Sequence, residues 1–291
     1  MKRALTIVTI AALSLTAGSA AAFCRTSVCG EEVGKVCEPA QPTDCGTPIF
    51  WETTCVGFSV QRDASANVSL EDARALTAQA FAAWSEASCP GGGRPSISAQ
   101  DLGPVTCDAQ EFDAEARNAN LIVFRDEGWP YGQGALALTT VTYSLDSGEI
   151  RDADIELNSD NAAFTIGDNA VNVDLLSILT HEVGHFLGLA HTPVADATMQ
   201  TDYPPKSTTL RTLEEDDIAG ICAIYPPGRA GTCDPEPING LGDECGEPAD
   251  GSGDSCDCRT ATGREAPSWI VALGLAIVGR RRARRDVGRP R

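Results

Sequence analysis

The chain contains three histidines, and all of them fall within one short run, His181-Glu182-Val183-Gly184-His185-Phe186-Leu187-Gly188-Leu189-Ala190-His191. Side chains four positions apart on a helix stand one above the other, so a helix here projects His181 and His185 from one face onto a common ion. Gly188 can adopt the positive φ that ends a helix, which lets the chain turn back and deliver His191 as a third ligand. Three nitrogens leave the fourth position of a zinc ion open to water, the arrangement of catalytic rather than structural sites. Zinc lowers the pKa of such a water to about 7. Glu182 is placed to take its proton, the hydroxide attacks a peptide carbonyl polarised by the same ion, and Glu182 passes the proton to the leaving amine. The competing reading, three core or surface histidines with no metal, gives no reason for the glycine terminator to stand where the ligand set requires it.

The rest of the chain supplies a scaffold for such a helix. Val56 to Val60, Leu121 to Phe124, 135–143 and 150–157 read as strands bounded by turn residues, and Ile49-Phe50-Trp51 as strand material. Ser69-Leu70-Glu71-Asp72 opens a helix in which Leu70, Ala73, Leu76, Ala80, Phe81 and Trp84 recur at steps of three and four and form a buried face. A second helix is expected over 173–187. A third is expected from Thr212, capped with Glu215, carrying Ile218, Ile221, Ile224 and Tyr225 inward until Pro226-Pro227 stops it. Strand, helix, several strands, helix, helix is a mixed α/β order. Gly91-Gly92-Gly93 follows no strand and leads into no helix, so a phosphate loop is disfavoured.

The histidine run resembles the zinc motif of the metzincins, and HEVGHFLGLAH is most similar to the matrixin branch. Met199, eight residues past His191 in Ala197-Thr198-Met199, resembles the Met-turn that supports the metal from below without ligating it. The likeness extends over residues 46–227, with 76–84 similar to the family's first helix and 213–225 to its last. It implies an α/β (α+β) fold: a twisted mixed sheet packed on a first helix and an active-site helix, with a C-terminal helix below the cleft. By the same likeness Ala135, Leu136, Ala137 and Leu138, after Gly134, form an edge strand that binds extended substrate by backbone pairing; an edge simply facing solvent is the other reading. No histidine is left for the second, structural zinc of animal matrixins, and the run from Cys24 to Gly46 is too short for their propeptide and lacks its cysteine motif. Asp152, Asp154 and Glu156 offer oxygen ligands for calcium, although alternate positions on an exposed strand face give the same spacing. Tyr203 follows the methionine at a spacing unlike that of oxyanion-assisting tyrosines in related branches.

The two ends of the chain set its expected location. Lys2 and Arg3 precede an apolar run over 4–15 and a small-residue stretch ending Ala20-Ala21-Ala22, the plan of a secretory signal peptide cleaved after Ala22. Twelve cysteines suit an oxidising compartment, and although sequence does not give their pairing, Cys233 and Cys245 could close a small loop in a Gly/Pro-rich spacer. The net charge is -19 although nine arginines lie beyond residue 258, so the body is more acidic still and nucleic acid is excluded as a partner. Cys256-Asp257-Cys258, an apolar stretch over 269–279 and Arg280-Arg281-Arg282-Ala283-Arg284-Arg285 resemble, in that order, the MYXO-CTERM sorting signals of myxobacterial surface proteins. That likeness implies a membrane sorting protease as partner; membrane anchoring is the alternative, though eleven apolar residues are short for a span.

The expected organisation is a signal peptide (1–22), a Cys-rich segment (23–45), the metalloprotease domain (46–227), a spacer (228–258) and a sorting or anchor tail (259–291). The expected function is that of a monomeric, secreted or surface-sorted zinc endopeptidase acting on protein or peptide, with one catalytic zinc. A non-catalytic adhesion or binding module stabilised by zinc is the alternative; it leaves Glu182 without a role.

Overall fold

The computed structural model describes residues 23–29, 47–132, 134–249 and 270–279. The signal peptide, the cysteine pair at 256 and 258 and the arginine cluster lie outside these residues. The elements are β1 (Cys24–Arg25), β2 (Cys55–Val60), α1 (Leu70–Ser85), β3 (Ser98–Asp101), β4 (Leu121–Phe124), β5 (Ala135–Ser144), β6 (Ile150–Leu157), β7 (Phe164–Thr165), β8 (Val173–Asp174), α2 (Leu175–Phe186), β9 (Leu189–Ala190), β10 (Asp202–Tyr203), α3 (Glu215–Ile224) and β11 (Ile270–Gly279). Seven strands form one mixed sheet in the order β10-β11-β5-β6-β4-β2-β3. β2, β3, β4 and β6 run parallel, whereas β5 is antiparallel to β6 and β11 antiparallel to β5.

Strands buried on both faces read as unbroken apolar runs, and β4, Leu-Ile-Val-Phe, is one. Its Ile122 and Phe124 join the main core with α1 and α2, while Leu121 and Val123 face a second cluster with Val105 and Cys107. In the main core Phe58 stacks on Phe81, and Phe81 meets the edge of Phe186 from α2. Ser69 caps α1 by accepting the Asp72 N–H, as its sequence predicts. Trp84 at the far end is fully buried and donates its indole N–H to the Thr180 carbonyl, which fixes α1 against the helix bearing the histidines.

Several expectations are corrected. Cys233 and Cys245 do not pair with each other: Cys233 bonds Cys55 and Cys245 bonds Cys107, while Cys89 bonds Cys222. These bridges pin the 229–249 segment to the domain, where Leu241 packs on the second cluster, so this part is no free spacer. α3 is capped two residues later than predicted, by Glu214, whose N–H bonds Asp217. The apolar stretch near the C-terminus lies in the sheet as β11, beside β5, which is therefore no edge strand. Ile49, Phe50 and Trp51 form no strand, only an isolated bridge at Phe50.

Candidate metal centre

Asp174 opens α2 by accepting the Ser177 N–H, and the helix carries His181 and Glu182 side by side with His185 one turn on. Gly188 has φ +94°, and a Cβ there would lie 2.8 Å from the Ile49 carbonyl oxygen, so only glycine fits the turn. The chain reverses through β9 and brings His191 back. His181 Nε2 lies 3.0 Å from His185 Nε2 and 3.2 Å from His191 Nε2, and the last two are 3.2 Å apart. Nitrogens each about 2.0–2.1 Å from a tetrahedral zinc ion are separated by about 3.3 Å, so this triangle fits the ion.

The rest of each ring is fixed from outside. His181 Nδ1 is 2.7 Å from the Thr198 carbonyl and His185 Nδ1 is 2.9 Å from the Leu189 carbonyl. A carbonyl only accepts, so both Nδ1 atoms carry the proton and both Nε2 lone pairs point inward. Burial, reinforced by the adjacent His191 ring, holds His181 down to about 3 and His185 well below its ordinary value. Lone pairs gathered this closely repel unless a cation lies among them; the donor set is that of zinc.

Glu182 points its carboxylate toward β5, where the Thr139 hydroxyl donates to Oε2 at 2.6 Å. Thr139 was not predicted, since nothing in a strand sequence says which helix residue it meets. Met199 is buried beneath α2: a Cβ on Gly184 would collide with its Sδ and come within 2.8 Å of Trp84 Cζ2. Gly184→Ala is therefore expected to destabilise the domain by about 1–3 kcal/mol through overpacking. Urea unfolding measures it, and an unchanged midpoint would show that Met199 does not support the helix. Asp217, also unpredicted, accepts the backbone N–H groups of Thr198 and Met199 at 2.7 and 3.1 Å, and so ties α3 to the methionine turn.

Tyr203 is buried, and its hydroxyl accepts the Asp174 N–H and donates to the Ser207 carbonyl, so it clamps the start of α2 rather than facing the histidines. Asp152, Asp154 and Glu156 do not lie on an exposed face: all three are buried. Glu156 is engaged by Arg125 and by the Tyr131 hydroxyl, each at 2.7 Å. Asp154 Oδ1 accepts the Leu121 N–H, whereas Asp154 Oδ2 and both Asp152 oxygens meet no hydrogen-bond donor among the described residues. Burial, with like charge nearby, pushes both aspartates well above the ordinary carboxylate range.

Residues 109–226, which include the three histidines and Met199, match the profile of the matrixin family. The chain carries a matrixin-like domain. It is 33% identical over 99 residues to the metalloendoproteinase 4-MMP of Arabidopsis thaliana, a match covering 34% of this chain and 28% of that protein. It is 40% identical over 65 residues to the neutrophil collagenase of Homo sapiens, covering 22% and 14%. Against stromelysin-3 of Xenopus laevis it is 37% identical over 90 residues, covering 30% and 17%. The chain thus spans less than a third of each relative's length. The matrixin-like domain has the mixed α/β sheet expected for it, with α1 and α2 on one face.

Proposed function

We propose that the chain is a zinc-dependent endopeptidase, with His181, His185 and His191 as metal ligands and Glu182 as general base and acid. The observation that carries this is the convergence of three Nε2 atoms, two of them from the helix that also bears the Glu182 carboxylate, oriented by the Thr139 hydroxyl. Zinc held there supplies Lewis acidity toward a peptide carbonyl and an attacking water. Glu182, oriented by Thr139, takes the proton from that water and delivers it to the departing amine. Met199 supports the helix from below, and β5 residues Ala135 to Leu138 would pair an extended substrate through their backbone once β11 is displaced from them. A structural zinc site in a binding module has no use for a base held this way.

Residues 46–227 form the catalytic unit in this reading, flanked by the appended segments 23–45 and 228–258. A leader at 1–22 and a sorting tail at 259–291 would deliver a monomeric enzyme to the cell surface. No described helix is long and apolar enough to cross a membrane. The aspartates at 152 and 154 offer three hard oxygen ligands, which suit calcium. Glu156 is spent on Arg125 and Tyr131 and drops out of that set.

Metal analysis of the purified chain tests the site. One zinc per chain is expected, lost in His185→Ala, with hydrolysis of an unfolded protein abolished by a chelator and restored by zinc. A folded chain that binds no zinc, or hydrolysis that survives chelation, would overturn the reading.

A further inference from the structure

The groove assigned above to substrate is already filled. β11 pairs antiparallel with β5 from Ile270↔Ser144 to Val278↔Ala135, a register that takes in Ala135 to Leu138. Its other side pairs parallel with β10, at Asp202↔Val278 and Tyr203↔Gly279. The segment is thus paired with β5 along its length and joined on its other side by β10 at its last two residues. Leu275 stands opposite Thr139, the residue that holds the Glu182 carboxylate. His181, Glu182, His185 and His191 are all fully buried.

We propose that residues 270–279 are the intramolecular occupant of the substrate groove, and that the full chain is latent until this strand is displaced. The proposal rests on the endopeptidase reading of the same site. Its sequence, Ile-Val-Ala-Leu-Gly-Leu-Ala-Ile-Val-Gly, has no charge and no proline, so it can add to a sheet edge along its whole length. Its tether is short: Cys245 is fixed by its disulfide to Cys107, and β11 begins at Ile270. A strand tethered this way competes at an effective concentration of about millimolar, above the level at which most free substrates are met. Cleavage of the tail between Cys258 and Ile270 would turn a competitor bound in the chain into one free to leave.

The test uses the full chain and the same chain carrying Gly274→Pro with Leu275→Pro. The N–H groups of successive strand residues point to opposite neighbours, so this pair of changes removes one donor on each side of β11. Hydrogen exchange, measured in a Glu182→Ala background so that no self-cleavage intervenes, reads occupancy without activity. The β5 peptide covering 135–144 is expected to be protected in the parent and to lose protection in the proline variant, with β2, β4 and β6 unchanged. With Glu182 intact, hydrolysis of an unfolded protein is expected to rise by at least about tenfold in the proline variant. Equal protection and equal hydrolysis in the two chains would overturn the occupancy while leaving the peptidase reading in place. Lost protection with no hydrolysis in either zinc-loaded chain would uphold the occupancy and overturn the peptidase reading.

Discussion

Glu182→Ala is expected to lower kcat/KM toward an unfolded protein by about 10²–10⁴-fold, the range spanned by loss of a positioned proton-transfer group. The loss should fall on kcat with KM little changed, because the carboxylate acts on the reacting water and not on the substrate's flanking residues. Zinc content should stay at one per chain, since the three nitrogens that converge at 3.0–3.2 Å do not include this residue. Glu182→Gln separates chemistry from packing: it keeps the shape and an acceptor for the Thr139 hydroxyl, yet cannot take a proton. Both variants should be assayed in the parent and in the Gly274→Pro/Leu275→Pro chain, so that an occupied groove does not hide the effect. Full activity in Glu182→Gln would remove the carboxylate from the chemistry and overturn its assignment as general base and acid.

The parts of this site legible in sequence are those set by local geometry. His181 and His185 are one helical turn apart, and Gly188 at φ +94° makes the return to His191; all three conditions lie in one short run. The cap at Ser69 is local for the same reason. Thr139 meets Glu182 across 43 residues and Asp217 meets Met199 across 18, and no periodicity announces either pair. The cysteine partners are illegible on the same ground, because 178 residues separate Cys55 from Cys233. Thr212 and Glu215 match a capping pattern as well as Glu214 and Asp217 do. The second pair is the one used because Asp217 is also needed at the methionine turn.

Strand alternation has a similar limit. It tells which side chains of β6 share a face, but not whether that face is covered, so Asp152 and Asp154 were as compatible with solvent as with burial. An apolar run of ten residues is ambiguous too, since a central strand and a truncated membrane span have the same composition. In the structure this run is a strand that β5 pairs along its length and β10 joins at Val278 and Gly279.

The buried pair on β6 carries the second large effect, on stability. Both carboxyls are pushed above the ordinary value of 3.8, chiefly by burial. A group whose folded pKa is raised contributes stability that is fully present below its unfolded pKa and lost as pH rises through the folded one. In calcium-free buffer the chain is therefore expected to lose stability as pH climbs from about 4 through the raised pKa values toward neutrality. Asp152→Asn removes one of the two charges and should be more stable than the parent at pH 8 by about 1–3 kcal/mol, with the difference shrinking toward pH 4. Calcium at a hundredfold excess over its dissociation constant should add about 2.7 kcal/mol to the parent at pH 8 and little to Asp152→Asn. Urea midpoints across pH 4–8, with and without calcium, read both. A parent curve parallel to that of Asp152→Asn would mean that the pair is not raised, and a calcium response equal in the two chains would place the ion elsewhere. Asp154 Oδ1 keeps its bond from the Leu121 N–H in either protonation state, so the strand pairing should survive the whole titration.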